Sequence, residues 1–141
     1  MATTRKATTQ WHGSLMEGAG QVTFESSGLG TQDVTWASRA EDPAGRTSPE
    51  ELIAAAHSSC FSMALSHALA QQGNAPEALE TSAEVTFQPG EGITGIALTV
   101  RGTVPGLTEA EFVEAAEKAK TGCPVSKALA GTTITLQASL A

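Results

Sequence analysis

TSPEELIAAAHSSCFSMAL, Thr47 to Leu65, is the stretch that decides how this 141-residue chain is read. Ser48 suits an N-cap, Pro49 the first helical position, and Glu51 completes Ser-x-x-Glu, a capping box. Ala54, Ala55, Ala56, Ala64, Ala68 and Ala70 follow with high intrinsic helix propensity, and Gly73 is a natural stop. The helix is apolar on nearly every face, which predicts burial on several sides. One thiol, Cys60, stands at its middle. The only other, Cys123, lies in Gly-Cys-Pro, where another helix begins.

Upstream of this helix, residues alternate. Val22 with Phe24 and Val34 with Trp36 each mark a half-buried strand, separated by the turn Ser27-Gly28-Leu29-Gly30, and Thr8 to His12 predicts an earlier strand. Residues 39–47, RAEDPAGRT, read as a polar loop. Downstream, Ala83, Val85 and Phe87 share one strand face, Ile96, Leu98 and Val100 another, with Gly90 to Gly92 as the hairpin connection. A helix is expected from Thr108 to Lys120, opened by a Thr108–Glu111 capping box, with Lys118 and Lys120 complementing the dipole of its last turn. A short helix from Cys123-Pro124 to Leu129 and a strand from Thr133 to Ala138 complete the chain. This order predicts a single α+β domain, residues 1–141, in which an antiparallel sheet covers apolar helices.

Composition narrows the function. Apolar content of 40% and charged content of 16% belong to a folded chain. A net charge of −7 argues against nucleic acid or an anionic membrane as partner. MATTRKATTQWHG lacks the apolar core of a secretory signal, and no apolar run approaches the roughly 20 residues a bilayer crossing needs. A cytoplasmic location is therefore expected, where two cysteines are more often free, catalytic or redox-sensing than a structural disulfide. Neither the cysteines nor the three scattered histidines have zinc spacing, so no metal site is expected.

Cys60 is equally readable as a small core residue and as a reactive thiol flanked by Ser58, Ser59 and Ser62, whose hydroxyls can bond a thiolate. Cys123, at the N-terminus of its helix and near Lys127, has the surroundings that lower a thiol pKa, unless Gly122-Cys123-Pro124 is only a tight connection. On physics alone Cys123 is the easier thiolate. Glu50 is the acid left over once Glu51 is spent on the cap; acids are also simply favoured in a first turn. Arg39 and Arg46 lie in the loop before the helix, where an arginine is commonly a solvated surface group. His57 and His67 read as packed or hydrogen-bonded core histidines.

The stretch Thr47 to Leu65, followed some sixty residues later by Cys123-Pro-Val-Ser-Lys-Ala-Leu129, closely resembles the OsmC/Ohr family, and length and element order agree over nearly the whole chain. The resemblance implies an OsmC-like α+β fold, with an antiparallel sheet wrapped around long central helices, and a thiol-dependent peroxidase that reduces organic hydroperoxides. By position, Cys60 would be the peroxidatic thiol, Cys123 the resolving thiol and Glu50 the site acid. The Ohr branch carries its arginine far upstream, where this chain has none between Arg5 and Arg39; the OsmC branch has it where Arg39 stands, leaving Arg46 as the alternative. A guanidinium beside Cys60 would stabilise its thiolate, and Glu50 would hold that guanidinium as a fork. Leu52, Ile53, Phe61 and Met63 are candidates for an apolar pocket favouring alkyl or lipid hydroperoxides. No cofactor is implied, only an external dithiol reductant.

One expectation is independent of the family. Ten residues separate Glu50 from Cys60, about 15 Å along an unbroken helix. Either the helix breaks, or Arg39 and Glu50 serve the cysteines of another subunit, giving an intertwined homodimer. A peroxide-responsive thiol sensor and an apolar-ligand binding protein remain the alternatives to an enzyme.

Overall fold

The computed structural model describes residues 1–141. Its elements in chain order are β1 Ala7–His12, β2 Ala19–Phe24, β3 Gly30–Val34, α1 Trp36–Ala40, α2 Pro49–Gln71, β4 Ala78–Gln88, β5 Gly92–Thr103, α3 Glu109–Gly122, α4 Pro124–Ala128 and β6 Thr133–Leu140. They form an α+β protein of two compact units, Met1–Leu52 and Ile53–Ala141, with the boundary inside α2.

In the first unit β1, β2 and β3 make an antiparallel sheet in that order. The alternation that suggested a strand through Trp36 ends at Val34. Trp36 instead opens α1, because Thr35 and Ser38 cap each other: the Ser38 N–H donates to Thr35 Oγ1 at 3.0 Å and the Thr35 N–H to Ser38 Oγ at 2.9 Å. Arg39 and Ala40 therefore belong to a helix, not to the polar loop expected over residues 39–47.

α2 starts and stops where its sequence dictates. The Glu51 N–H donates to Ser48 Oγ at 3.1 Å, although the Glu51 carboxylate takes the Thr47 hydroxyl rather than closing the box on Ser48. At the other end Gly73 takes φ +86°, Asn74 N–H returns to the Leu69 carbonyl at 2.9 Å and Gly73 N–H to that of Ala70 at 3.0 Å, a Schellman motif. Burial differs from the expectation of a helix covered on several sides. Only the stripe His57, Phe61, Leu65, Leu69, repeating every four residues, is fully buried, while Met63 is 72% exposed. At 23 residues and mean hydropathy 1.2 over its most apolar window, α2 does meet the length and composition of a bilayer span, contrary to the expectation that no run approaches it. The core helix of a folded protein meets the same test, and this helix's stripe is packed in a protein core.

That core belongs to the second unit. Phe61, Leu65 and Leu69 meet Leu98 and Val100 of β5, Phe112, Ala115, Ala116 and Ala119 of α3, and Cys123. Each fully buried Leu or Phe here contributes about 1.5–3 kcal/mol relative to exposure. Gly102 on β5 is required by close packing, since a Cβ there would stand 2.7 Å from the Phe112 ring. β4 and β5 pair antiparallel as expected, but β6 pairs parallel to β5, Ile96 opposite Ile134 and Leu98 opposite Leu136. The sheet is thus not wholly antiparallel. α3 and α4 form a crossover between β5 and β6, and a crossover returns the chain in the same direction. The alternating faces were correctly placed: Ala83, Val85 and Phe87 are half-buried, and Ile96, Leu98 and Val100 are buried.

Candidate active site

Two constellations of functional side chains form, one in each unit. The first is a charged fork. Arg39 Nε donates to Glu50 Oε1 at 3.0 Å and Arg39 Nη2 to Glu50 Oε2 at 2.9 Å, a bidentate, charge-assisted pair. Glu50 is only 6% exposed, and both of its carboxylate oxygens are taken up in this fork. Local sequence sets the geometry. Arg39 rides on α1, and Ser38, buried beside it, donates its hydroxyl to the Thr47 carbonyl at 2.8 Å, tying α1 to the residues that lead into α2. Of the two arginine candidates, Arg39 is the one paired with Glu50. Arg46 is exposed and lines a surface hollow with Gln10, His12, Asp33 and Thr35.

The second constellation is a pair of free thiols. Cys60 projects from the middle of α2 and is half-buried; Cys123 sits between α3 and α4 and is fully buried. Sixty-three positions apart in sequence (123 − 60), the two sulfurs come within hydrogen-bonding contact. Their surroundings are unequal. Burial pushes the Cys60 thiol up, the Val125 N–H pulls it part of the way back, and neighbouring Cys123 adds to the rise. Burial also opposes a Cys123 thiolate, but there it is outweighed by the backbone N–H of Ser126, the Cys60 thiol, the Val125 N–H and the Ser126 hydroxyl, which together bring Cys123 below the usual thiol value. Cys123 stands at the N-cap of α4 without a side-chain cap hydrogen bond.

Several expected helpers are absent from the thiols. The hydroxyls of Ser58 and Ser59 turn back to the Ala55 and Ala56 carbonyls, and Ser62 bonds the Ser58 carbonyl at 2.8 Å and Thr81 at 2.7 Å. Lys127 is exposed and plays no part in lowering Cys123. Of the pocket candidates, Leu52 and Ile53 are half-buried, Met63 lies open on the surface, and Phe61 is sealed in the core. His57 is the hydrogen-bonded core histidine expected, fully buried with Nε2 2.8 Å from Ser126 Oγ, whereas His67, expected likewise in the core, is exposed. Ser126, which helps lower Cys123, escaped the sequence reading. Burial holds His57 below its ordinary pKa, so it is neutral in the fold. The signal for His57 was its place four residues ahead of Phe61 on the stripe that continues through Leu65 and Leu69; Ser126 follows Cys123 by three, where a helix's third N–H faces its cap.

An α+β fold with a half-buried helix thiol touching a buried thiol at the start of a following helix defines a dithiol protein. The model of the OsmC-like protein family matches residues 41–137, and the chain belongs to that family. It is 42% identical over 128 residues to the peroxiredoxin OsmC of Escherichia coli K12, covering 89% of each chain. It is 34% identical over 91 residues to the organic hydroperoxide resistance protein of Xanthomonas axonopodis pv. citri, covering 60% of this chain and 61% of that one. Among solved structures, an organic hydroperoxide resistance protein OsmC from Legionella pneumophila superposes with TM-score 0.70 at 25% identity, covering 98% of this chain and 99% of that one.

Proposed function

We propose that this protein is a peroxidase of the OsmC type that reduces organic hydroperoxides with its two thiols. The observation that carries the reading is the contact between Cys60 and Cys123; the names of its relatives, peroxiredoxin OsmC and organic hydroperoxide resistance protein, support it. In the proposed cycle the Cys60 thiolate attacks the distal peroxide oxygen. The O–O bond breaks, an S–O bond forms, and the alkoxide takes a proton to leave as alcohol. The Cys123 thiolate then attacks the sulfur of Cys60–SOH and expels hydroxide, which is protonated to water, leaving a Cys60–Cys123 disulfide. Two electrons from an external dithiol restore the thiols.

Within its own unit nothing cationic lowers Cys60, so the first step needs a positive neighbour from elsewhere. In this proposal it is Arg39, held in its fork by Glu50. α2 is unbroken from Pro49 to Gln71, which favours delivery of the fork to the cysteines of a second copy in an intertwined homodimer. Only 22% of the most apolar window of α2 is buried in one chain, and a second copy would cover more of it. Of the expected pocket residues, exposed Met63 is open to an organic substrate, whereas Phe61, sealed in the core, is not.

Stopped-flow oxidation with cumene hydroperoxide and a dithiol tests the reading. Repeated turnover supports the enzyme. A single oxidation with slow recovery would make the protein a sensor, and no loss of thiol would make it a binding protein.

A further inference from the structure

His57 is 0% exposed and Ser126 6%, and they lie 2.8 Å apart although 69 positions separate them. Ser126 follows Cys123 by three residues at the start of α4, and its hydroxyl is among the groups that bring the thiol of Cys123, itself 0% exposed, below its usual value. His57 Nδ1 is buried with no hydrogen-bond partner in the protein. That orphan fixes the direction of the chain of bonds. If Cys123 were protonated and donated to Ser126, Ser126 would donate to Nε2 and the imidazole hydrogen would sit on Nδ1, a buried donor with nothing to receive it. In the opposite direction Nε2–H donates, and Nδ1 keeps only a lone pair, a cheaper vacancy than an unsatisfied N–H.

We propose that His57 and Ser126 are positioning residues that hold Cys123 as a thiolate aimed at Cys60: His57 Nε2–H donates to Ser126 Oγ, and Ser126 O–H donates to the Cys123 sulfur. The role of Cys123 as attacking thiolate rests on the peroxidase reading; the relay itself does not. No proton is taken up by His57, which stays neutral throughout. The groups facing Cys123 are the Cys60 thiol from α2 and the N–H groups of Val125 and Ser126 from α4. Of the cations flanking it in sequence, Lys120 on α3 is paired with Glu117 at 3.1 Å and Lys127 on α4 is exposed. His57 is faced by Ser126 from α4 and makes no ion pair.

The test titrates Cys123 by its ultraviolet thiolate absorbance in full-length Cys60→Ala protein, without peroxide. Ser126→Ala is expected to cut the thiolate fraction at neutral pH about threefold to tenfold, the effect of one lost hydrogen bond. His57→Asn should cut it about twofold to threefold, while His57→Gln, whose amide N–H falls where Nε2 stood, should restore the parent curve. An unchanged titration in Ser126→Ala, or identical curves for the Asn and Gln variants, overturns the relay. Ser126→Ala removes one oxygen only, so the test stands even where a His57 variant does not fold. In the Cys60-containing chain the same variants should slow disulfide closure after cumene hydroperoxide by matching factors. A parent chain that never reacts with hydroperoxide overturns the peroxidase reading, while the titration still decides the relay.

Discussion

Cys60 and Cys123 touch, yet the fold treats them oppositely. Cys60 stands mid-helix, half-buried, where its neighbours' N–H groups are spent on the helix itself, and Val125 alone offers a backbone donor. Cys123 is fully buried but sits at a helix start, where the N–H groups of Val125 and Ser126 have no intrahelical acceptor. Burial alone would make Cys123 the worse thiolate; donors make it the better one. Cys123, proposed to resolve the sulfenic acid, is thus prepared by its own unit, whereas Cys60, proposed to meet the peroxide, is not.

The strongest way to break this contrast is to remove each sulfur. Cys60→Ser should lower turnover of cumene hydroperoxide by at least about a thousandfold, the scale expected for loss of a nucleophile. Cys123→Ser should permit one oxidation and then accumulate sulfinic acid at Cys60, seen by mass spectrometry. Activity surviving Cys60→Ser but lost in Cys123→Ser would reverse the roles.

Removing the supplied cation comes next. Arg39→Ala should slow the peroxide step about a hundredfold by leaving Cys60 protonated, with little change in the Cys123 titration. It also strands the buried Glu50 carboxylate, at a cost of about 1–3 kcal/mol in a denaturant melt. Arg39→Ala and Glu50→Gln chains as active as the parent would remove the fork from the mechanism.

A smaller effect sharpens the comparison without variants. In the reduced protein, two thiol titrations should separate, the lower belonging to Cys123 and the higher to Cys60. Alkylation followed by peptide mapping assigns them.

The smallest concerns His57. Its folded pKa lies below the ordinary 6.5, so the unfolded chain takes up a proton that the folded chain refuses. Its contribution to stability is complete above pH 6.5 and declines as pH falls below it. Melts at pH 7.5 and 5.5 should show this loss, and His57→Gln should reduce it.

Much of this was written in local sequence. The boundaries of α2 and α3 followed from Ser48, Pro49, Thr108 and Glu111, because caps act over three or four residues. α1 was missed because its box uses Ser38 at the third position rather than an acid, and Val34 with Trp36 imitated a strand over too few residues. The parallel pairing of β6 depends on where a crossover lands, which alternation within the strand does not encode. Cys60, Cys123, Arg39 and Glu50 were singled out by spacing and family resemblance. The fork and the thiol contact then came together within their separate units. The His57–Ser126 contact had no local signature, since each residue alone reads as an ordinary core or capping group.

The most direct measurement is mass spectrometry of the reduced protein after one equivalent of cumene hydroperoxide. Both free thiols should be lost, with a single peptide pair joined through Cys60 and Cys123. Oxidation confined to Cys123 with Cys60 still alkylatable, or both thiols unchanged, would contradict this.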